Sequence, residues 1–169
     1  MSIIKDFKVD ALNICNSLVG KKLYDVFKQL DFFVFNFGEG IEYCLHTYCF
    51  TKITKNSEIL LSCIDEYLRP NHTLMTDEEY SFDELHQNSL LKNSIEHVKS
   101  ELATAYVSCV KISGTGDLYI IFDNGIVLEN HVASVREGEE FYRIFKYKDL
   151  EGFHYVVKYL NKKVVIELI

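Results

Sequence analysis

The chain has 169 residues, 48% of them apolar and 14% aromatic, with one proline and eight glycines. That composition fills the core of a single domain spanning 1–169 and excludes a collagen-like or disordered chain. Its 18 bases against 25 acids leave a net charge of −7, which excludes the basic stripe that direct binding to nucleic acid requires.

Residues 5–18 read as an amphipathic helix, because Phe7, Ala11, Ile14, Cys15 and Leu18 recur at three- and four-residue steps and Gly20 can end it. The period then changes. Residues 22–28 and 31–37 are rich in aromatic and β-branched residues and predict two strands. The second holds Phe32-Phe33-Val34-Phe35, apolar on both faces as in a buried strand. Gly38-Glu39-Gly40 turns the chain into a strand over 41–51, and Lys55-Asn56 leads into another over 58–64. Residues 66–88 are the least regular, although Thr76-Asp77-Glu78-Glu79 can open a short helix, since acids favour a first turn.

Residues 90–102 predict a second helix, with Leu91, Ile95, Val98 and Leu102 on one side. Strands follow over 105–112 and, after Gly114-Thr115-Gly116, over 117–122. Asp123-Asn124-Gly125 lies between two apolar runs and predicts a type I′ hairpin, because Asn-Gly supplies the positive φ angles. A short helix is expected over 139–145, and a final hairpin over 154–169 around Asn161-Lys162-Lys163. The expected class is α+β: a largely antiparallel sheet of seven or eight strands with two or three helices, the N-terminal helix first.

The net charge sits in one stretch. Between Glu58 and Glu84 stand Glu58, Asp65, Glu66, Asp77, Glu78, Glu79, Asp83 and Glu84, against Arg69 alone; the other 17 acids and 17 bases cancel. Such a block makes a local negative field that steers basic partners. Tyr67, Tyr80 and Phe82 lie among the acids, and mixed aromatic and acidic surface suits a protein interface. The partner-binding residues expected are therefore Asp65, Glu66, Asp77, Glu78, Glu79, Tyr80, Asp83 and Glu84.

Catalytic and metal signatures are weak. Cys44 and His46 share a face if their segment is a strand, but a zinc site needs three or four converging ligands and no second pair has the spacing. Asp65 and Glu66 end an apolar run, where acid–base carboxylates can sit, yet neighbours on a strand point to opposite faces. No G-x-S-x-G, P-loop or G-x-G-x-x-G is present. The expectation is no catalytic residue, no metal and no cofactor. The five cysteines are odd in number and scattered, which predicts reduced thiols and a cytoplasmic protein. Met1-Ser2-Ile3-Ile4-Lys5-Asp6-Phe7 lacks the charged and apolar regions of a secretory signal, and no apolar run approaches a bilayer span.

Two patches resemble a family of small, largely uncharacterised bacterial proteins. One is Leu18-Val19-Gly20-Lys21-Lys22-Leu23, then Tyr43-Cys44-Leu45-His46-Thr47-Tyr48-Cys49 and Ile64-Asp65 with Tyr67 and Pro70. The other runs from Gly116 to Glu129, followed by Glu139-Glu140-Phe141-Tyr142-Arg143-Ile144-Phe145. In kind, the chain is also similar to the immunity proteins of bacterial contact-dependent toxin systems. That similarity implies a small cytoplasmic α+β protein that binds one cognate toxin domain, often a basic nuclease, and blocks it. The competing expectations are an interaction or accessory domain without toxin linkage, and a small hydrolase using Asp65 and His46.

Overall fold

Alternation of buried and exposed side chains accounts for most of the structure. The computed structural model describes residues 3–4, 7–76, 89–148 and 154–169. In chain order the described elements are β1 (Ile3–Ile4), α1 (Phe7–Leu18), β2 (Leu23–Gln29), β3 (Phe32–Phe37), β4 (Tyr43–Thr47), β5 (Phe50–Lys55) and β6 (Glu58–Ser62). A 3-10 turn (Cys63–Tyr67) comes next, then α2 (Leu90–Leu102), β7 (Val107–Ile112), β8 (Leu118–Phe122), β9 (Ile126–His131), β10 (Glu140–Lys146), β11 (His154–Leu160) and β12 (Lys163–Leu168). The class is α+β, but the strands form two antiparallel sheets rather than one. Their orders are β1-β12-β11-β10-β4-β3-β2 and β6-β5-β9-β8-β7.

The sheets are joined at a corner. The expected single strand over 41–51 is in fact β4 and β5, broken at Tyr48 and Cys49, where the chain leaves one sheet for the other. β10 and β9 pair with β4 and β5 respectively and make the same crossing in reverse. A buried polar chain pins this corner. The Thr47 hydroxyl donates to Thr51 Oγ1 at 3.0 Å, and the Thr51 hydroxyl donates to Asn130 Oδ1 at 2.7 Å. α1 packs against β7 and β12, and α2 packs against β6, β2 and the 3-10 turn. Each helix thus covers a gap between the two sheets, and the enclosed side chains of both form one apolar cluster. Burial of β3 on both faces is as expected, with Phe33 to Phe37 all buried.

Three local expectations are corrected. The segment expected as a helix over 139–145 is β10, a central strand between β11 and β4. Phe141, Tyr142 and Ile144 are buried there while Arg143 is half-exposed, and aromatic and β-branched residues favour a pleated surface. Asn124-Gly125 does not form a type I′ turn. Only Gly125 has positive φ, and its N–H donates to Phe122 O at 3.1 Å, closing a three-residue loop. The Asn124 side-chain amide is drawn off to Glu101 O at 2.8 Å, at the end of α2. Consecutive positive φ angles, the type I′ signature, occur instead at Asn56-Ser57 and Asn161-Lys162. Lastly, Asp65 and Glu66 lie in the 3-10 turn and not on a strand end. The helix expected to open near Asp77 falls outside the described residues.

Gly116 shows how tightly the sheets meet. It has φ +92°, and a Cβ there would lie 2.7 Å from Val164 Cγ1. Its carbonyl accepts the hydroxyl of fully buried Tyr142 at 2.8 Å. Gly116→Ala is expected to destabilise the fold by about 1–3 kcal/mol through overpacking and left-handed strain. Urea unfolding of the two proteins measures it, and an unchanged midpoint contradicts the assignment.

Candidate functional site

Of the eight expected partner-binding residues, Asp65 and Glu66 are described; Asp77, Glu78, Glu79, Tyr80, Asp83 and Glu84 fall outside the described residues. The two described acids are both committed to the fold. Asp65 Oδ2 accepts the Ser62 N–H at 2.8 Å and the Ser94 hydroxyl at 3.3 Å, tying the 3-10 turn to β6 and to α2. Glu66 is buried and forms an ion pair with Lys28 of β2. Burial holds the Lys28 ammonium below its ordinary pKa, with Cys63 and Asp31 pulling the other way. The charge of Glu66 is therefore answered by Lys28, and one carboxylate oxygen of Asp65 is taken up by hydrogen bonds within the fold.

What surrounds them is exposed and apolar. Ile64 is 55% exposed, Tyr67 44% and Leu74 71%. Residues 67–75 are held as a small closed loop: Leu68 bridges Leu74, the Met75 N–H donates to Tyr67 O at 3.0 Å, and the Arg69 N–H donates to Thr73 O at 2.8 Å. The Leu90 N–H donates to Leu68 O at 2.7 Å, anchoring the loop at the start of α2. Large apolar side chains are thus displayed on a fixed backbone that leads directly into the acidic run. Sequence alone marks Tyr67 here by its aromatic character, but Ile64 and Leu74 look like core residues; the 3-10 turn leaves Ile64 exposed and the closed loop leaves Leu74 exposed.

A second surface is the outer face of the seven-stranded sheet. Alternation on β3, β4, β10 and β11 aligns Tyr48, Phe32, His46, Phe145 and His154 into a row of rings. Phe32 lies 5.0 Å from Tyr48 and 5.2 Å from His46; Phe145 meets His46 edge-on at 4.9 Å and stacks on His154 at 4.6 Å. Arg143 beside them is held by two 2.6 Å hydrogen bonds to Glu140. Burial lowers the pKa of His46 and of His154, and Arg143 lowers both further, with Glu140 opposing.

The folded state thus prefers neutral imidazoles, so the unfolded chain takes up protons first as pH falls. Stability is therefore full above about pH 6.5 and declines below it until the lower folded-state value is passed. The expected result is a Tm that drops between pH 7 and pH 5 in the native protein, with a smaller drop in His46→Gln/His154→Gln. Parallel curves for the two proteins would refute the assignment.

His46 and Asp65 have different partners. His46 belongs to the ring row on one sheet, while Asp65 is engaged with Ser62 and Ser94 beyond the edge strand of the other. Cys44 donates its thiol to Asn36 Oδ1 at 3.1 Å, and burial pushes its pKa up to about 11. Burial likewise pushes Cys49 up to about 12. Both shifts disfavour the thiolate that Cys–His chemistry uses. Among the described residues no three potential ligands converge on a metal position, and no helix is long and apolar enough to cross a membrane. Comparison with protein-family models, with curated proteins and with solved structures finds no match to this chain.

Proposed function

We propose that this chain is an immunity-type protein that binds a cognate bacterial toxin domain in the cytoplasm and neutralises it by covering its active site or substrate groove. The observation that carries this reading is the exposed trio Ile64, Tyr67 and Leu74, on the 3-10 turn and the closed loop that precede the acidic run in the chain. Exposed apolar anchors provide contact energy, and a block of acids provides approach rate and partner choice. The partner that fits is basic, and a nuclease domain is the first expectation, because its substrate groove is built to receive phosphates. The acids then stand where those phosphates would. Similarity in kind to contact-dependent immunity proteins supplies the toxin class.

Charge reversal tests the electrostatic half. Asp77→Lys/Glu78→Lys/Glu79→Lys is expected to slow association with the recovered partner by about tenfold or more at low salt, and to flatten its salt dependence. Stopped-flow association across a salt series reads both. Unaltered rates and an unaltered salt slope would remove the acidic run from the site.

A further inference from the structure

Asn124 is the one asparagine of the chain that is followed by glycine. That pair carries a chemistry of its own. The backbone nitrogen after an asparagine can attack the side-chain amide, and a following glycine offers the least steric hindrance. The β8–β9 loop also needs glycine here, because Gly125 has φ +83°. Gly125 is exposed and Asn124 half-buried, so the turn itself places the susceptible pair at the surface.

The same loop ties two parts of the molecule together. Asn124 Nδ2 donates to Glu101 O in the last turn of α2 at 2.8 Å, and Lys55 of β5 holds the Glu101 carboxylate at 2.6 Å. Just past the helix, the Asp123 N–H donates to Tyr106 O at 2.9 Å and the Tyr106 N–H donates to Asp123 Oδ1 at 3.0 Å. The helix ends on a long bond of its own, from the Ala103 N–H to Ser100 O at 3.4 Å. Its last turn is therefore held from outside, by Asn124 and Lys55.

While these bonds stand, attack on the amide is blocked. It needs the Gly125 nitrogen free of its proton and facing Asn124 Cγ. Instead the Gly125 N–H donates to Phe122 O at 3.1 Å, Asn124 Oδ1 accepts the Ile126 N–H at 3.3 Å, and Nδ2 is engaged by Glu101.

From this geometry we infer that Asn124 is a gated deamidation site, whose conversion irreversibly releases the end of α2 from the β8–β9 hairpin. When the loop opens, Gly125 N bonds to Asn124 Cγ and gives its proton to solvent. The Cγ–Nδ2 bond breaks and the nitrogen leaves as ammonia. Water then opens the cyclic imide at one of its two carbonyls, leaving aspartate or, with the backbone rerouted through Cβ, isoaspartate. Only water is consumed. Either product lacks the N–H that Glu101 O receives. Each sets a carboxylate at the C-terminal end of α2, where the helix dipole is already negative, and next to Asp123 in the chain. Isoaspartate also lengthens the backbone of a loop that the Gly125 N–H closes. The latch cannot re-form, so the change accumulates with the time the loop spends open. It is separate from the surface at Ile64 and Leu74 and stands whether or not the partner is a toxin.

Peptide mass spectrometry of the full chain aged at mildly alkaline pH, folded and in guanidinium, tests the gate. Asn124 is expected to convert first in both, and at least about tenfold more slowly in the folded protein, because conversion waits on local opening. Lys55→Ala removes the other hold on Glu101 and should speed conversion in the folded protein about two- to fivefold. Asn124→Asp fixes one product, and should quicken hydrogen exchange of the amides at 102–105 about tenfold. Equal rates in folded and unfolded chains, or a folded rate unmoved by Lys55→Ala, overturn the gate. Unchanged exchange at 102–105 in Asn124→Asp overturns the release.

Discussion

Replacing Glu66 with alanine is expected to destabilise the protein by about 3–5 kcal/mol, because it strands a buried ammonium. The Lys28 side chain is only 6% exposed and that of Glu66 11%, so water cannot replace the lost partner. The pair also joins β2 to the 3-10 turn, linking the edge of one sheet to the end of the other. The informative control is Lys28→Met/Glu66→Leu. Removing both charges and keeping the volume is expected to restore most of the loss, since a buried pair contributes little beyond an apolar pair of the same shape. Guanidinium unfolding of the three proteins reads both effects. A single variant as stable as the native protein would show that Glu66 is solvated, and would return it to the surface acids available to a partner.

The second large effect concerns binding. Ile64→Ala/Leu74→Ala is expected to weaken the complex with the proposed toxin partner about 30- to 100-fold, mainly through faster dissociation, as truncation of exposed apolar anchors does. Both side chains are more than half exposed, so the change should leave the unfolding midpoint nearly unchanged. That separation makes the pair a cleaner probe than Tyr67, which is the more enclosed of the three. Equal dissociation rates for native and variant proteins would move the contact elsewhere, and the ring row at Phe32, His46 and Phe145 would become the next surface to alter.

The helices and most strand positions are legible in the chain because one face of each is buried. Ile14 and Leu18 in α1, and Leu91, Val98 and Leu102 in α2, keep helical spacing and reach the core. Division into two sheets is not legible, because residues 41–51 run on as one aromatic- and β-former-rich segment with no Gly or Pro to mark a break at Tyr48 and Cys49. The crossing there depends on pairing with β10 and β9, about 80–95 residues later in the chain. The short helix expected at 139–145 is overridden by the strand partners on both sides of β10. The Asn-Gly turn is redirected by one tertiary hydrogen bond from Asn124 to α2.

At the site, the charge block is visible in the sequence, but the division of labour within it is not. Asp65 and Glu66 look like two more surface acids until Ser62, Ser94 and Lys28 are placed against them. Conversely, Ile64 and Leu74 read as core residues until the 3-10 turn after β6 and the loop closed at Leu68 and Leu74 are in place. Burial of a charge and exposure of an apolar group are both outcomes of long-range packing, and local pattern carries neither.

The most direct test of the binding account is a paired pull-down from the native host, with the native protein and Ile64→Ala/Leu74→Ala as baits, at low and moderate salt. The account predicts one basic partner encoded beside this gene, held by the native bait, weakened by salt and largely absent from the variant. Recovery of the same proteins in the same amounts on both baits would contradict it.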